Sequence, residues 1–407
     1  MPEKSLTEKS RTLPKGLRVV AGFFVATICG LAFGFTAMGF LLSMLSPEVV
    51  GSRDFVAYWA TGQQLAHHGN PYDADSLLRI ERGAGLHAVD SPMFMRNPPS
   101  ALPLVFPLGF LGLQAASILW SLLLLMCLGG SVYMVWLMHG SPGNRRYLLG
   151  YSFGPALICL LNGQTSLFAL LGLVLFLRLH RARPFLAGVS LWLCALKPHL
   201  FLPFGVVLIA WVIVSRSYKV LAGAVVAIAA SSMIAFIIDP MAWTQYLRMV
   251  QTSGIDRDRI PCVSYLLRLW LGPHSMWLQY LPAGLGCAWA AVYFWSRRDT
   301  WDWMKNGSPV MLVSILSAPY YWLYDHVLAI PALLHGAYAT RSRSLLAVLA
   351  LLTALIEIAL FCNYWWPAPI YNWTLWAAPA WLIWYLVACA NRTKNPDAPN
   401  SNWSSDS

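Results

Sequence analysis

A handful of residues in this chain are of types that move protons or hold phosphates, and each sits in a short phrase between apolar runs. Asp54 opens Asp54-Phe55-Val56-Ala57-Tyr58. A carboxylate there is suited to general-base work, but Ser52 or Asp54 would equally cap a helix running through Leu65. Arg96-Asn97-Pro98-Pro99 sets a guanidinium and an amide ahead of a proline pair. Turn chemistry accounts for the Asn and the prolines, and Arg96 is suited to a lipid headgroup phosphate. Asn162-Gly163 reads as a tight turn. The turn does not require Gln164, whose amide suits a sugar hydroxyl or a phosphate. Lys197-Pro198 leaves a cation at the end of an apolar run. That cation either snorkels to lipid phosphate or stabilises a phosphate leaving group in a dry site. Tyr320 to Tyr324 form an interfacial aromatic belt, and Asp325 and His326 follow directly. Ionisable groups at membrane depth tend to be functional. Taken singly, every one of these residues has a structural explanation.

What has to position them is a membrane bundle. The chain is 58% apolar and 11% charged, against about a quarter charged in a soluble domain. Twenty Trp and 17 Tyr suit the lipid–water boundary. These charges are too few to coat a soluble surface, so lipid is the solvent for much of the chain. The net charge of +11 is then a question of which loops hold it, and nucleic acid is not expected as a partner. The eight Cys show no CxxC pair and read as buried small apolar residues. The apolar run 17–45 is too long for a signal-peptide core and reads as a first membrane helix.

Twelve apolar stretches are candidate spans: 17–45, 114–138, 147–161, 166–178, 184–196, 199–214, 220–238, 276–295, 308–323, 327–339, 344–361 and 372–390. When they alternate, every short loop on one side carries at least two basic residues: Arg145 with Arg146, Arg178 with Arg181 and Arg183, Arg216 with Lys219, Arg297 with Arg298 and Lys305, Arg341 with Arg343. Positive charge collects on the cytoplasmic side, which predicts N-in, C-in topology. Two long loops, about 46–113 and 239–275, then fall outside, and long structured loops usually carry function. Within the first, 98–113 holds Pro98, Pro99, Pro103 and Pro107. It reads as a re-entrant or interfacial piece rather than a straight span. Residues 1–16 read as a cytoplasmic tail, 17–390 as one transmembrane domain and 391–407 as a disordered cytoplasmic tail. Asp256 to Arg259 alternate in sign and read as a solvated stretch, and Glu357 reads as structural.

This topology places Asp54, Asn97, Gln164, Lys197, Asp325 and His326 on one membrane face. A base, amides and cations at the outer leaflet suit group transfer from a lipid-linked phosphate donor. The same residues carry a resemblance. Asp54-Phe55 with Tyr58, then Gly69-Asn70-Pro71-Tyr72-Asp73, Asn97-Pro98-Pro99, Gly163-Gln164, Ala187-Gly188, Leu196-Lys197-Pro198, Ser317-Ala318-Pro319 and Tyr324-Asp325-His326 resemble, in this order, glycosyltransferase family 87. These are polyprenol-phosphate-mannose-dependent mannosyltransferase-like proteins of the GT-C superfamily. The resemblance spans roughly residues 50–340. Where the family commonly reads Tyr-Pro-Pro, this chain has Arg96-Asn97 before the prolines.

The resemblance implies an all-α GT-C-like bundle of about 10–13 transmembrane helices, with a structured first outer loop. It implies a hexosyltransferase, mannose being the expected sugar, working at the outer face of a bacterial cytoplasmic membrane on a cell-envelope glycan or glycolipid acceptor. Transfer would be inverting, with Asp54 as catalytic base. Tyr58, Arg96, Asn97, Gln164, Lys197, Asp325 and His326 are then the candidate donor-binding residues. No glycine-rich nucleotide loop is evident, which fits a lipid donor and no cofactor. A divalent metal is not expected, since Asp54 with Asp73 or Asp75 is a poor cation site. One carboxylate suffices where the leaving group is already a phosphate, unlike the paired carboxylates of glycoside hydrolysis. The alternative is a transporter or flippase of lipid-linked saccharides, which would place ionisable groups at the bilayer midplane and show internal repeats. This chain shows neither.

Overall fold

In hydrocarbon each backbone polar group must find its partner within its own segment, so apolar spans fold as helices. A computed structural model of the chain describes residues 15–45, 50–51, 53–86, 91–253, 260–365 and 374–393. Ser52, the tail up to residue 14, the 256–259 stretch and the tail from residue 394 lie outside the described residues. The protein is an all-α polytopic membrane protein, with no strand among the described residues.

Every one of the twelve apolar stretches contains a helix. In chain order, with the loop helices interleaved, they are α1 (Lys15–Leu45), α2 (Phe55–Ala66), α3 (Ala74–Gly83), α4 (Leu113–Met138), α5 (Gly154–Asn162), α6 (Ser166–Leu179), α7 (Pro184–Cys194) and α8 (Leu202–Val214). Then follow α9 (Tyr218–Ile238), α10 (Ala242–Thr252), α11 (Val263–Leu271), α12 (Trp277–Trp295), α13 (Gly307–Ser317), α14 (Ile330–Ala339), α15 (Arg343–Trp365) and α16 (Ala377–Thr393). Among the described residues, four stretches are long and apolar enough to cross a bilayer by themselves: Phe23–Leu42, Leu113–Met138, Tyr218–Ile238 and Arg343–Leu360. Their outward faces are apolar: Phe23 is 75% exposed and Ile237 72%. In water such faces would be untenable at this extent; in lipid they are the required surface. The interior is built on α5, α6, α13 and α14, which are buried along most of their length.

Prolines set where helices stop, and they moved several expected boundaries. The 308–323 stretch ends its helix at Ser317, because Pro319 forces Ala318 into an extended conformation (φ −56°, ψ 141°). The next segment opens as a 3-10 turn, Leu323–Ala329, before α14 starts with Pro331 in its first turn. The 147–161 stretch is interrupted after Tyr151 and resumes at Gly154, again with a proline in the first turn. Pro98 to Phe110 break into three short helical turns, as the prolines predict.

Those turns anchor α2. Gly62 and Gly109 meet backbone to backbone, since a Cβ on either would collide with the other segment's main chain. Trp59 Nε1 donates to Leu111 O at 3.0 Å and Gln63 Nε2 to Gly109 O at 2.9 Å. The helix that begins after Asp54 is thereby fixed along its whole length. Two other expectations need adjusting. All eight Cys are free, but only Cys127, Cys159, Cys194 and Cys262 are buried; the other four are half-buried on helices with lipid-facing surface. Glu357 is buried and accepts from Thr36 Oγ1 at 3.1 Å, tying α15 to α1.

Candidate active site

Chain connectivity brings four junctions to one end of the bundle: the start of α2, the α5–α6 turn, the α7–α8 junction and the turn after α13. Each delivers one ionisable or amide side chain, and local backbone chemistry explains how. Helix α5 ends at Gly163, whose left-handed conformation (φ 72°) is the usual C-terminal cap. A side chain at 163 would also meet Phe55 Cβ at 2.7 Å. Gln164 leaves this turn pointed at α2. Helix α7 ends at Cys194, and Lys197, preceding Pro198, takes a non-helical conformation (φ −135°, ψ 66°) and stays buried. Asp325 sits in the 3-10 turn and stops that turn's first amide, accepting from Trp322 N at 2.8 Å.

The four form one chain of contacts. Gln164 Nε2 donates to Asp54 Oδ2 at 2.6 Å. Gln164 Oε1 accepts from Tyr58 OH at 2.9 Å and from Lys197 Nζ at 3.3 Å. Lys197 Nζ in turn pairs with Asp325 Oδ1 at 2.7 Å, and Ser166 Oγ donates to the same oxygen at 2.5 Å. The Gln164 amide orientation follows from its partners: two donors face its oxygen and a carboxylate faces its nitrogen. Lys197 also lies 4.7 Å from the centre of the Tyr324 ring, a cation–π distance.

Asp54 heads α2 yet makes no side-chain cap. Its carboxylate goes across to Gln164 instead, so the capping role open to it in the sequence is not the one it plays. Asp73 does cap, accepting from Ser76 N at 3.0 Å at the start of α3. Among the described residues Asp54 Oδ1 has no hydrogen-bond partner, and the residue keeps some exposure. Burial pushes the Asp54 carboxyl above the ordinary range, against the pull of the Gln164 hydrogen bond and of the Lys197 and Arg53 charges. Asp325 goes the other way. Burial would raise its carboxyl, but the Lys197 ammonium, with Ser166 and the Trp322 amide, holds it below the usual value. Two carboxylates on one network thus sit on opposite sides of their normal range, a pattern that separates a proton acceptor from a fixed charge.

Not all expected residues join this network. Asn97 is buried, and its amide donates to Leu196 O at 2.8 Å and Thr165 Oγ1 at 3.3 Å. It clamps the first long loop to the residues flanking Lys197 and Gln164, a heavier duty than the turn chemistry its sequence suggests. His326 turns away from its neighbour Asp325: its Nδ1 accepts from Trp381 Nε1 at 3.1 Å, on α16. Burial pulls the imidazole down to about 4, so it is neutral with its proton on Nε2. Arg96 lies at the rim, where its carbonyl accepts from Tyr246 OH at 3.4 Å. Two contributors escaped notice in the sequence. Ser166 could have been found by its place two residues past Gln164. Tyr324 stood in the Tyr324-Asp325-His326 motif but was read with the aromatic belt and not as a contact of Lys197. No group of three or more metal-ligand side chains occurs among the described residues.

A base beside an amide, with a buried cation two hydrogen bonds away, is an arrangement for activating a hydroxyl next to a departing anion. A sequence model of glycosyltransferase family 87 matches residues 94–319, over half of the chain. Asn97, Gln164 and Lys197 fall inside that match, Asp325 lies just beyond its end, and Asp54 precedes its start by 40 residues. No curated protein and no solved structure matches the chain.

Proposed function

From its membership of glycosyltransferase family 87, a family of the GT-C class of membrane glycosyltransferases, we propose that this chain moves a sugar from a polyprenyl-phosphate donor to an acceptor hydroxyl. The observation that carries the reading is the Asp54–Gln164–Lys197–Asp325 network. It holds one carboxylate with a raised proton affinity and one cation in a largely buried setting.

Asp54 Oδ1 takes the proton of the acceptor hydroxyl as that oxygen forms its bond to the anomeric carbon. The bond from that carbon to the phosphate oxygen breaks on the opposite side, and its electron pair leaves with the polyprenyl phosphate. The configuration at the sugar inverts. Gln164 holds Asp54 in place and Lys197 attends the phosphate as its charge grows, with Tyr58, Asn97 and Arg96 shaping the surroundings. The phosphate departs without a general acid, so a single carboxylate is enough. A hexose is the sugar we propose, mannose first. The basic loops Arg145–Arg146, Arg178–Arg183 and Arg297–Lys305 favour placing the active end on the outer side of a cytoplasmic membrane.

The test is purified protein in nanodiscs, given radiolabelled polyprenyl-phosphate mannose, other polyprenyl-phosphate sugars or nucleotide sugars, with membrane glycolipid as acceptor. We expect transfer from a lipid donor, with inversion read by NMR of the product. Equal use of nucleotide sugars, or retention of configuration, overturns the proposal.

A further inference from the structure

Arg53 is 4% exposed, and among the described residues it has no carboxylate as a hydrogen-bond partner. Its Nε donates to Leu161 O at 2.5 Å, and one terminal nitrogen donates to Leu160 O at 2.9 Å. The other terminal nitrogen donates to Ser117 Oγ at 3.0 Å, and Ser121 Oγ lies 3.4 Å from the first. Leu160 and Leu161 supply carbonyls at the end of α5, where the regular intrahelical donors run out; Leu160 O also accepts from Gly163 N at 3.2 Å. Trp120 Nε1 donates to Gly163 O at 2.7 Å, so a side chain from elsewhere satisfies each of these three carbonyls. The planar fork of a guanidinium suits two adjacent carbonyls as no ammonium can.

The position of this residue is what gives the arrangement meaning. Arg53 is bonded through the chain to Asp54, and through hydrogen bonds to the helix end that delivers Gln164. One buried side chain therefore spans both ends of the Asp54–Gln164 contact. A neutral amide or hydroxyl could satisfy the same acceptors. A cation in this place, solvated only by neutral oxygens, is a costly choice for mere anchorage, and its field falls on the neighbouring carboxylate.

We propose that Arg53 is a positioning residue for the reaction: its fork sets the distance and direction of Asp54 against Gln164, and its charge keeps the Asp54 carboxylate available as a base. This rests on the reading of Asp54 as the base. The other charged or titratable groups facing Asp54 are Lys197 and Asp325 from the two later junctions, with Tyr58 one turn along α2 and Tyr324 beside Asp325. Burial dominates the Asp54 carboxyl, and the Arg53 charge opposes it.

The experiment follows the Asp54 carboxyl directly, by the infrared band of its protonated form across a pH series in full-length protein. Asp54→Asn is subtracted to isolate the band. In Arg53→Gln we expect the titration midpoint to rise by about one pH unit. In Arg53→Lys we expect the midpoint to stay near wild type, while kcat for transfer falls about tenfold at unchanged donor KM because the fork is lost. An Arg53→Gln midpoint that coincides with wild type overturns the electrostatic half. Should that variant not fold, the Arg53→Lys kinetics decide, and an unchanged kcat overturns the positioning half. Transfer retained by Asp54→Asn would instead defeat the reading of the base itself, a separate result.

Discussion

Lys197 and Asp325 meet at 2.7 Å, 128 residues apart in the chain, with the side chains 10% and 2% exposed. A buried pair is worth less than it looks, but removing one partner alone is severe because it strands the other charge. Such losses run to about 3–5 kcal/mol. We expect Lys197→Met to lower the melting temperature clearly and to abolish sugar transfer. Lys197→Met combined with Asp325→Asn should recover more than half of the lost stability and none of the transfer. Melting in detergent and a radiolabel assay read the two separately.

The raised proton affinity of Asp54 has a definite sign in activity. The base form is lost as pH falls through a value above the ordinary carboxylate range. Transfer rates should therefore climb with pH along an acid limb that lies higher than for an exposed Asp. Asp54→Asn keeps the contact to Gln164 sterically and should keep the fold, with transfer down by at least about a hundredfold, the span of general-base catalysis. A rate profile flat from pH 4 to 8 would be incompatible with this assignment.

Glu81, fully buried in α3, is pushed up to about 7 by burial, while the amide of Met93 donates to its Oε2 at 3.0 Å. Because the folded state holds this proton more tightly, its contribution to stability is greatest below the ordinary value of 4.5 and fades as pH rises toward about 7. Protection of the amides in α3 and around Met93, taken relative to the intrinsic exchange rate at each pH, should thus be greater at pH 5 than at pH 8. Glu81→Gln should flatten that difference.

At Gly163 both the positive φ and the contact with Phe55 oppose a side chain. Gly163→Ala should cost about 1–3 kcal/mol and depress transfer, by displacing Gln164 from Asp54. The matched control is Gly83→Ala at the end of α3, where a Cβ meets nothing within 4 Å. There the change should be neutral or stabilising by up to about 1 kcal/mol. The pair of melting curves, with the assay, settles whether the turn matters for function or only for folding.

The membrane bundle was legible because hydropathy and proline act locally: each apolar run contains a helix, and the break between Ser317 and Ile330 lies at prolines, Pro319 and Pro331. The gathering of Asp54, Gln164 and Lys197 was legible too, because strict alternation of spans sorts loops onto two ends. Direction was not. Asp325 and His326 are adjacent, yet one faces Lys197 and the other Trp381, since a 3-10 turn swings successive side chains about a third of a turn apart. Asn97 looked like a turn residue because its true partners, Leu196 O and Thr165, lie 99 and 68 residues away. Arg53 went unread for the same reason: the carbonyls it holds are about 108 residues downstream.

The spacing of the network also fixes when it comes into being. Gln164 is made 110 residues after Asp54, and Asp325 another 159 beyond Ser166. At about 5–20 residues per second on the ribosome, roughly 15–50 s separate the first carboxylate from the last. Until Asp325 is made, Lys197 lacks the carboxylate it pairs with in the finished fold. If this network carries the proposed transfer, a half-made chain is inert, and activity begins only when nearly all the spans have been delivered.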